Sequence, residues 1–198
     1  MAINEEISET TLQDKFADIK GCQKLSIRDI SLDERITIIG KTGSGKSYFA
    51  CYLIHKFAIK VPVLVLDAKD EYQIEEASKD WLKMQKGVVK VKDIEYKNQT
   101  IDDRAVICEY LCQNAFNRGN ICLVLEEVGE YIPKYGRLYD TMPHFAKYLT
   151  QGRKRNCSLI CTSQRTQDLH TSILSQSEHI FCFNLASPHD LDAVKRYF

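Results

Sequence analysis

The stretch Gly40-Lys41-Thr42-Gly43-Ser44-Gly45-Lys46-Ser47 matches the pattern G-x-x-x-x-G-K-S, and the residues on both sides fit the same interpretation. Residues 35–39 before it form a short, largely apolar run that predicts a buried strand, and the largely apolar residues 47–54 predict a helix. Glycines in such a loop let backbone N–H groups curl around phosphate oxygens at the positive end of the helix. We therefore predict a strand–loop–helix unit that binds a nucleoside triphosphate.

The side chains of this loop have predicted roles of their own. Lys46 should reach the β- and γ-phosphates of ATP, and the Ser47 hydroxyl should ligate Mg²⁺. Tyr48 and the rest of the loop complete the predicted nucleotide contacts: Gly40, Lys41, Thr42, Gly43, Ser44 and Gly45. A glycine turn without a ligand is the ordinary alternative, but the complete motif and its flanks favour nucleotide binding.

The run Ile121-Cys122-Leu123-Val124-Leu125-Glu126-Glu127 is an apolar strand that ends in two acids, which is the Walker B pattern. Glu126 should hold the Mg²⁺ shell, and Glu127 should orient and polarise the attacking water. The first acid is more often Asp in such ATPases, so Glu126 departs from the pattern. A strand ending in two solvated acids is the alternative, and the upstream phosphate loop favours catalysis. The second glutamate favours an ATPase over a small-molecule kinase or a GTPase, and no N-K-x-D guanine motif occurs.

Composition limits the protein class. The 198 residues carry 27 Lys and Arg against 27 Asp and Glu, which excludes a globally basic nucleic-acid coat but allows a local basic patch. No apolar run approaches the roughly 20 residues of a membrane span, and the acidic N-terminus is unlike a signal peptide. We expect a soluble, intracellular protein with an acidic arm or helix at 1–30, which could add an edge strand, and a motor domain at 31–198.

The eight cysteines and five histidines do not predict a metal centre or a disulfide framework. The C-x₃-C pairs Cys108/Cys112 and Cys157/Cys161 do not lie in predicted turns, and free cysteine behaves as a small buried hydrophobe. The histidines are scattered without metal-ligand spacing. We therefore predict free cysteines in core positions.

Strand and helix patterns alternate along the chain. Strands are predicted at 35–39, 61–66, 88–92, 121–125, 157–163 and 179–184. Helices are predicted at 46–59, 74–84, 101–117, 138–151, 171–176 and 188–196. Thr100 and Asp103 resemble a capping box at the start of the third helix, and Gly119 ends it. Strands without polar alternation predict burial on both faces, and therefore a mostly parallel central sheet flanked by helices.

Three further stretches resemble motifs of the HerA–FtsK superfamily of ATPases. Residues 64–72 contain the D-x-x-x-E-Y segment that follows the second strand in HerA-type ATPases, and residues 152–165 resemble its G-R…apolar strand…T-Q-R segment. Residues 180–185 then resemble its last core strand. The resemblance covers residues 30–198 and implies a three-layer, RecA/ASCE-like α/β P-loop NTPase. It also implies that Gln164 senses the γ-phosphate.

From its 198 residues we expect a motor without the extra domains of HerA helicases or FtsK pumps, and the sequence is most similar to the genome-packaging ATPases of internal-membrane icosahedral viruses, including archaeal ones. That resemblance implies a double-stranded DNA translocase that fills a preformed capsid. It also implies a ring, typically hexameric, with a capsid or portal-vertex partner, in the host cytoplasm or on the virion. In such rings an arginine completes the neighbouring ATP site. Arg153 and Arg155 are the candidates here, with Arg165 third, against the alternative of a basic surface turn.

A DNA pump also needs a surface that holds phosphates without reading bases. The window 134–155 is basic, and we predict DNA contacts for Lys134, Arg137 and Lys147. Aromatic residues are interleaved: Tyr135, Tyr139, Phe145 and Tyr148. Residues 129–143 predict a loop directly after Glu127 that could move with hydrolysis. A solvated loop followed by an ordinary amphipathic helix remains the alternative.

Three other functions remain open from the sequence. A cellular HerA-like or conjugative DNA-transfer motor would use the same chemistry on another client. A small-molecule kinase would lack DNA-stimulated turnover and would carry an acceptor pocket. A nucleotide-dependent assembly switch would release no phosphate.

Overall fold

The computed structural model describes residues 30–74, 81–91, 94–96, 99–101, 103–185 and 187–197. The N-terminal arm predicted at 1–30 therefore lies outside the described residues, except for the buried Ile30. Most of the helix predicted at 74–84 also lies outside them, and its last part, Trp81–Lys83, is a single 3₁₀ turn.

One six-stranded sheet forms the centre of the described fold, and all its strand pairs are parallel. Its members in chain order are β1 (Arg35–Ile39), β2 (Pro62–Asp67), β3 (Gly87–Lys90), β6 (Ile121–Glu126), β7 (Cys157–Ser163) and β8 (His179–Cys182). The spatial order is β3-β2-β6-β7-β1-β8. The predicted α/β class is confirmed, and the carboxyl ends of all six strands meet at one edge of the sheet.

Within the described residues, six α-helices accompany the sheet. They are α1 (Lys46–Ala58), α2 (Arg104–Arg118), α3 (Leu138–Thr141), α4 (Pro143–Gln151), α5 (Thr171–Gln176) and α6 (Pro188–Lys195). Alternate residues of β6 belong to different core clusters: Cys122 and Val124 pack in the cluster of α1, whereas Leu123 and Leu125 pack in that of α2 and α4. Because side chains of a strand alternate between faces, the two clusters lie on opposite sides of the sheet and make three layers.

The start of α2 differs from the predicted position. The predicted capping box at Thr100 is wrong, because residues 99–101 form β5 (Gln99–Ile101), which pairs antiparallel with β4 (Ile94–Tyr96). The helix begins at Arg104 instead, and the Asp103 carboxylate caps it by accepting a hydrogen bond from the Val106 amide at 3.0 Å. Gly119 ends the helix as predicted.

The helix predicted at 138–151 is two helices, α3 and α4. Pro143 has no amide hydrogen and clashes with a preceding helical turn, so the chain breaks at Met142 and restarts. A side chain from α2 caps the restart: the Glu109 carboxylate accepts hydrogen bonds from the amides of His144 at 3.0 Å and Phe145 at 2.7 Å. Composition alone could not predict this cap, because Glu109 lies 35 residues earlier.

The seven described cysteines are all free thiols. Five are buried, and burial raises the pKa of Cys122 to about 12. Cys182 differs from the predicted core position because it is exposed, although partial burial of its thiol still raises its pKa to about 11. Within the described helices, none combines the length and the apolar character that a membrane crossing requires.

Candidate active site

The phosphate loop turns from the carboxyl end of β1 into α1. Gly43 and Gly45 have positive φ angles of 76° and 95°, which glycine adopts without strain. Gly40 is required for a different reason: a Cβ there would lie 2.6 Å from Ser44 Oγ and 2.7 Å from Phe183 Cβ. No side chain caps the amino end of α1, so its first amides stay free for a ligand.

A cavity of about 330 Å³ opens over this helix end. Its walls come from the phosphate loop and from two distant strand ends: Lys41, Thr42, Gly43, Gly45, Lys46, Ser47, Tyr48, Glu71 and Gln164. The free amides, the glycine cradle and the lysine fit a triphosphate group. The hydroxyl of Ser44 is buried and has no partner among the described residues, which leaves a donor available in the same loop.

Glu126 lies at the centre of the site and has no exposed surface. It continues the face of β6 that carries Cys122 and Val124, so it faces α1 and meets Lys46. The Lys46 ammonium donates to Glu126 Oε1 at 2.9 Å. The hydroxyls of Tyr72 and Thr162 both donate to Oε2 at 2.6 Å. Burial and the Glu126 charge raise the pKa of Tyr72 far above its ordinary value, so its hydroxyl remains a donor.

Glu127 follows directly after β6 and has a left-handed backbone, with φ 54° and ψ 64°. Its amide donates to Thr162 Oγ1 at 2.9 Å. Its Oε1 accepts from the Gln164 amide at 3.0 Å, and its Oε2 accepts from Lys69 Nζ at 3.0 Å. A strained, nearly buried and fully anchored carboxylate is typical of a functional position.

Gln164 links Glu127 to the phosphate loop. Its backbone amide contacts Glu127, while its side-chain oxygen accepts a hydrogen bond from Thr42 Oγ1 at 3.2 Å. The structure therefore brings the predicted γ-phosphate sensor beside both the predicted catalytic acid and the phosphate cavity. This follows from topology, because β7 lies between β1 and β6.

The carboxyl end of β2 and the segment after it, residues 67–72, supply side chains for which the sequence predicted no role. Glu71 accepts a hydrogen bond from the Ser47 hydroxyl at 2.6 Å, while Lys69 and Tyr72 contact the two Walker B acids. Asp67 fixes the segment by accepting from the amides of Glu71 and Tyr72 at 3.1 and 2.8 Å. The D-x-x-x-E-Y pattern identified this segment but not the residues that it contacts. Those contacts follow from the register of β2 with β6, which pairs Asp67 with Glu126.

The residues around Ser47 also fit Mg²⁺. Hydroxyl and carboxylate oxygens are the ligands that Mg²⁺ accepts, and Ser47 and Glu71 line this side of the cavity. Glu126 is buried behind the cavity wall, in contact with Lys46. Across the described ranges, no group of three or more His, Cys, Asp or Glu residues is placed to hold a metal. Mg²⁺ takes one or two protein ligands together with phosphates and water, and the neighbouring oxygens of Ser47 and Glu71 fit that requirement.

Residues 24–117, just under half of the chain, match the family model described as the central domain of the helicase HerA. This range includes the phosphate loop, the D-x-x-x-E-Y segment and most of α2. The chain is an ATPase that is similar to the HerA–FtsK type. The resemblance that the motifs predicted is thereby confirmed.

Solved structures share the fold of this ATPase. The genome packaging NTPase B204 of Sulfolobus turreted icosahedral virus 2, in complex with ATP-γS, has a TM-score of 0.68 and 21% identity, over 85% of this chain and 83% of that chain. The DNA-packaging ATPase B204 of Sulfolobus turreted icosahedral virus has a TM-score of 0.67 and 23% identity, over 85% and 84%. The cytoplasmic domain of EssC reaches 0.54 at 15% identity, over 82% of this chain and 33% of that chain. No curated protein sequence matches significantly.

The arginines predicted to act across subunits lie in the 3₁₀ turn before β7, at the amino edge of the ATPase sheet. Arg153 contacts two carboxylates of its own chain, Asp33 at 3.3 Å and Glu178 at 3.6 Å. Arg155 donates to the Asn117 carbonyl at 2.6 Å. Arg165 follows Gln164 at the carboxyl edge, where it is exposed.

The predicted DNA residues fall into two places. Lys134 and Arg137 lie in the loop between Glu127 and α3, where Arg137 is 84% exposed and Tyr135 is 76% exposed. Lys147 lies on α4 with its ammonium 4.5 Å from the Phe116 ring centroid. Two of the interleaved aromatics, Phe145 and Tyr148, are core residues, so they present no surface to a ligand.

Proposed function

We propose that this ATPase translocates double-stranded DNA and packages a viral genome into a preformed capsid. It works as a ring of identical subunits, typically a hexamer, in the host cytoplasm or on the virion, with a capsid or portal-vertex partner. ATP and Mg²⁺ bind over α1. The observation that carries the proposal is the joining of the Lys46 phosphate site to Glu127 and, seven residues further on, to an exposed basic loop.

Each side chain of the site has one task in this proposal. Lys46 exchanges its contact with Glu126 for the β- and γ-phosphates, and Gln164 reads the γ-phosphate through its position beside Thr42. Glu127 orients the attacking water and takes its proton. Mg²⁺ would neutralise charge on the phosphates, with Ser47 as its ligand and Glu126 acting through water.

The coupling to DNA is proposed to run through the segment after Glu127. Glu127 and Lys134 both line a second depression of about 250 Å³, together with Gly129, Glu130, Ile132, Pro133 and Asp168. Buried Tyr131 and Ile132 anchor the segment between them. A shift of the exposed loop on DNA phosphates would therefore be transmitted to the left-handed backbone at Glu127.

Phosphate release with and without linear duplex DNA tests the proposal most directly. We expect slow turnover alone and faster turnover with DNA. Lys46→Ala should abolish both rates and weaken ATP binding, because the charge on the phosphates is lost, while circular dichroism stays unchanged. Full activity in Lys46→Ala would overturn the nucleotide site. ATP hydrolysis that DNA does not change would exclude the translocase and leave an ATPase with another client.

A further inference from the structure

Lys69 is the one charged contact to the predicted catalytic acid among the described residues, and no motif assigns it a role. It occupies an unspecified position of the D-x-x-x-E-Y pattern. Its ammonium lies 3.0 Å from Glu127 Oε2, and the two residues are separated by 58 positions in the chain. The contact exists because β2 and β6 are neighbours whose carboxyl ends lie side by side.

Two acids and two lysines form one charge cluster at this edge. Glu126 and Glu127 are consecutive, and both are nearly inaccessible to water, at 0% and 7% exposure. A buried carboxylate is costly unless a cation or several donors compensate it. Lys46 compensates Glu126, and Lys69 compensates Glu127.

The charge balance of this cluster changes when Lys46 leaves Glu126 and binds the phosphates. Lys69 then remains the lysine in contact with the acid pair. Burial lowers the pKa of Lys69, but the hydrogen bond with Glu127 and the charges of Glu127, Glu71 and Glu126 outweigh it and raise that pKa above its ordinary value. Lys69 therefore stays charged throughout the neutral range.

The Glu127 carboxylate is also fixed from two sides. The Gln164 amide holds Oε1 from the end of β7, and Lys69 holds Oε2 from the segment after β2. Removing either contact would free rotation about the side-chain bonds. A base that must meet one water molecule loses rate when its geometry loosens.

We propose that Lys69 is a positioning residue for Glu127, because its contact with Oε2 holds the carboxylate in the orientation for proton abstraction. This role rests on the proposed use of Glu127 as the base. Lys69 does not line the phosphate cavity, so it acts on Glu127 rather than on bound nucleotide.

Steady-state kinetics of Lys69→Ala and Lys69→Arg test the role. We expect Lys69→Ala to lower kcat about 100-fold with little change in KM, because binding is intact and the base is misplaced. Lys69→Arg should restore part of kcat, because it keeps a cation at the carboxylate. Lys60→Ala is the matched control, since Lys60 is an exposed lysine just after α1. An unchanged or higher kcat in Lys69→Ala, or a change in KM alone, would overturn the proposal.

A double-mutant cycle separates positioning from an independent role. If Lys69 acts through Glu127, then Lys69→Ala adds no further loss to Glu127→Gln in single-turnover hydrolysis. Additive losses would overturn the proposal, because they would place Lys69 in another step. If Glu127→Gln is as active as the unmodified chain, then Glu127 is not the base, and the proposed function fails rather than the role of Lys69 alone. Thermal unfolding of each variant identifies any that fail to fold. If Lys69→Ala does not fold, the kcat of Lys69→Arg decides whether the proposal holds.

Discussion

The Glu126 carboxylate is wholly buried, and donors from three different elements occupy it. Tyr72 contributes one of these donors, and its side chain is itself buried at 5% exposure. A hydrogen bond to a charged group stabilises a fold more than one between neutral groups. The hydrogen bond from Tyr72 to Glu126 is therefore expected to stabilise the fold.

Removing only the hydroxyl of Tyr72 measures how much this hydrogen bond contributes to the free energy of unfolding. We expect Tyr72→Phe to lower the free energy of unfolding by about 2 kcal/mol, because the buried charge loses one of its donors. Urea unfolding followed by fluorescence gives the value. Tyr135→Phe is the control, since that side chain is 76% exposed and should leave the midpoint unchanged. Equal midpoints for the two variants would contradict a stabilising contact.

Substitution of the second acid separates nucleotide binding from chemistry. Glu127→Gln keeps the size of the side chain but cannot take a proton, so it should bind ATP·Mg²⁺ normally and turn over far more slowly. Gln164→Ala should also hydrolyse slowly, because it loses its contact with the phosphate loop. Nucleotide affinity and phosphate release measured on the same samples check both. If Glu126→Gln is inactive and Glu127→Gln remains active, the roles assigned to the two acids are reversed.

The loop after Glu127 is the element that joins the catalytic edge to solvent. Its inner part is anchored by buried Tyr131 and Ile132, whereas Tyr135 and Arg137 further along are exposed. Anchored at one end and free at the other, such a segment can change position without unfolding the sheet. Lys147 belongs to a different element, α4, where its stem packs over the Phe116 ring.

The two basic positions of the loop can be removed together. We expect Lys134→Ala with Arg137→Ala to weaken duplex binding for every DNA sequence and to lower the salt slope of binding by about two. Basal ATP hydrolysis should stay near its original rate while stimulation by DNA falls. Titrations at several salt concentrations measure the slope. Lys147→Ala is the comparison, and a larger loss there would move the DNA surface from the loop to α4.

At the scale of the whole molecule, the sheet separates the arginines. Arg153 and Arg155 precede β7, and its seven residues span roughly 20 Å before the catalytic edge is reached. An arginine side chain cannot cover that distance, so neither residue can serve the ATP site of its own subunit. If either completes a site, that site belongs to a neighbour in a ring.

Mixing two inactive variants tests this arrangement. Arg153→Ala or Arg155→Ala should cut turnover by about 10³-fold, as loss of an arginine finger does, with ATP binding to the subunit nearly unchanged. Mixed with Lys46→Ala, the responsible variant should regain partial activity, because some interfaces then pair an intact loop with an intact arginine. Arg165→Ala serves as the third arm. If neither Arg153→Ala nor Arg155→Ala regains activity in the mixture, both residues are excluded as the arginine that acts across subunits, and Arg165 is favoured.

The sequence by itself determined the nucleotide loop, the Walker B acids and the parallel α/β class. Each of these is a local pattern: the loop is eight consecutive residues, and the acids end one apolar strand. Helix boundaries were not determined by periodicity, because Pro143 divides one predicted helix and β5 occupies the predicted start of another. Local chemistry is readable wherever the residues that perform it are neighbours in the chain.

The tertiary structure decided which distant groups surround those acids. Tyr72 and Lys69 reach Glu126 and Glu127 across 54 and 58 residues, and Thr162 reaches them from the other side. The cause is the strand order, which places β6 between β2 and β7 with their carboxyl ends together. Periodicity predicts each strand but not its neighbours. The placement of Arg153 and Arg155 at the opposite edge follows from the same topology, because both residues precede β7 rather than follow it.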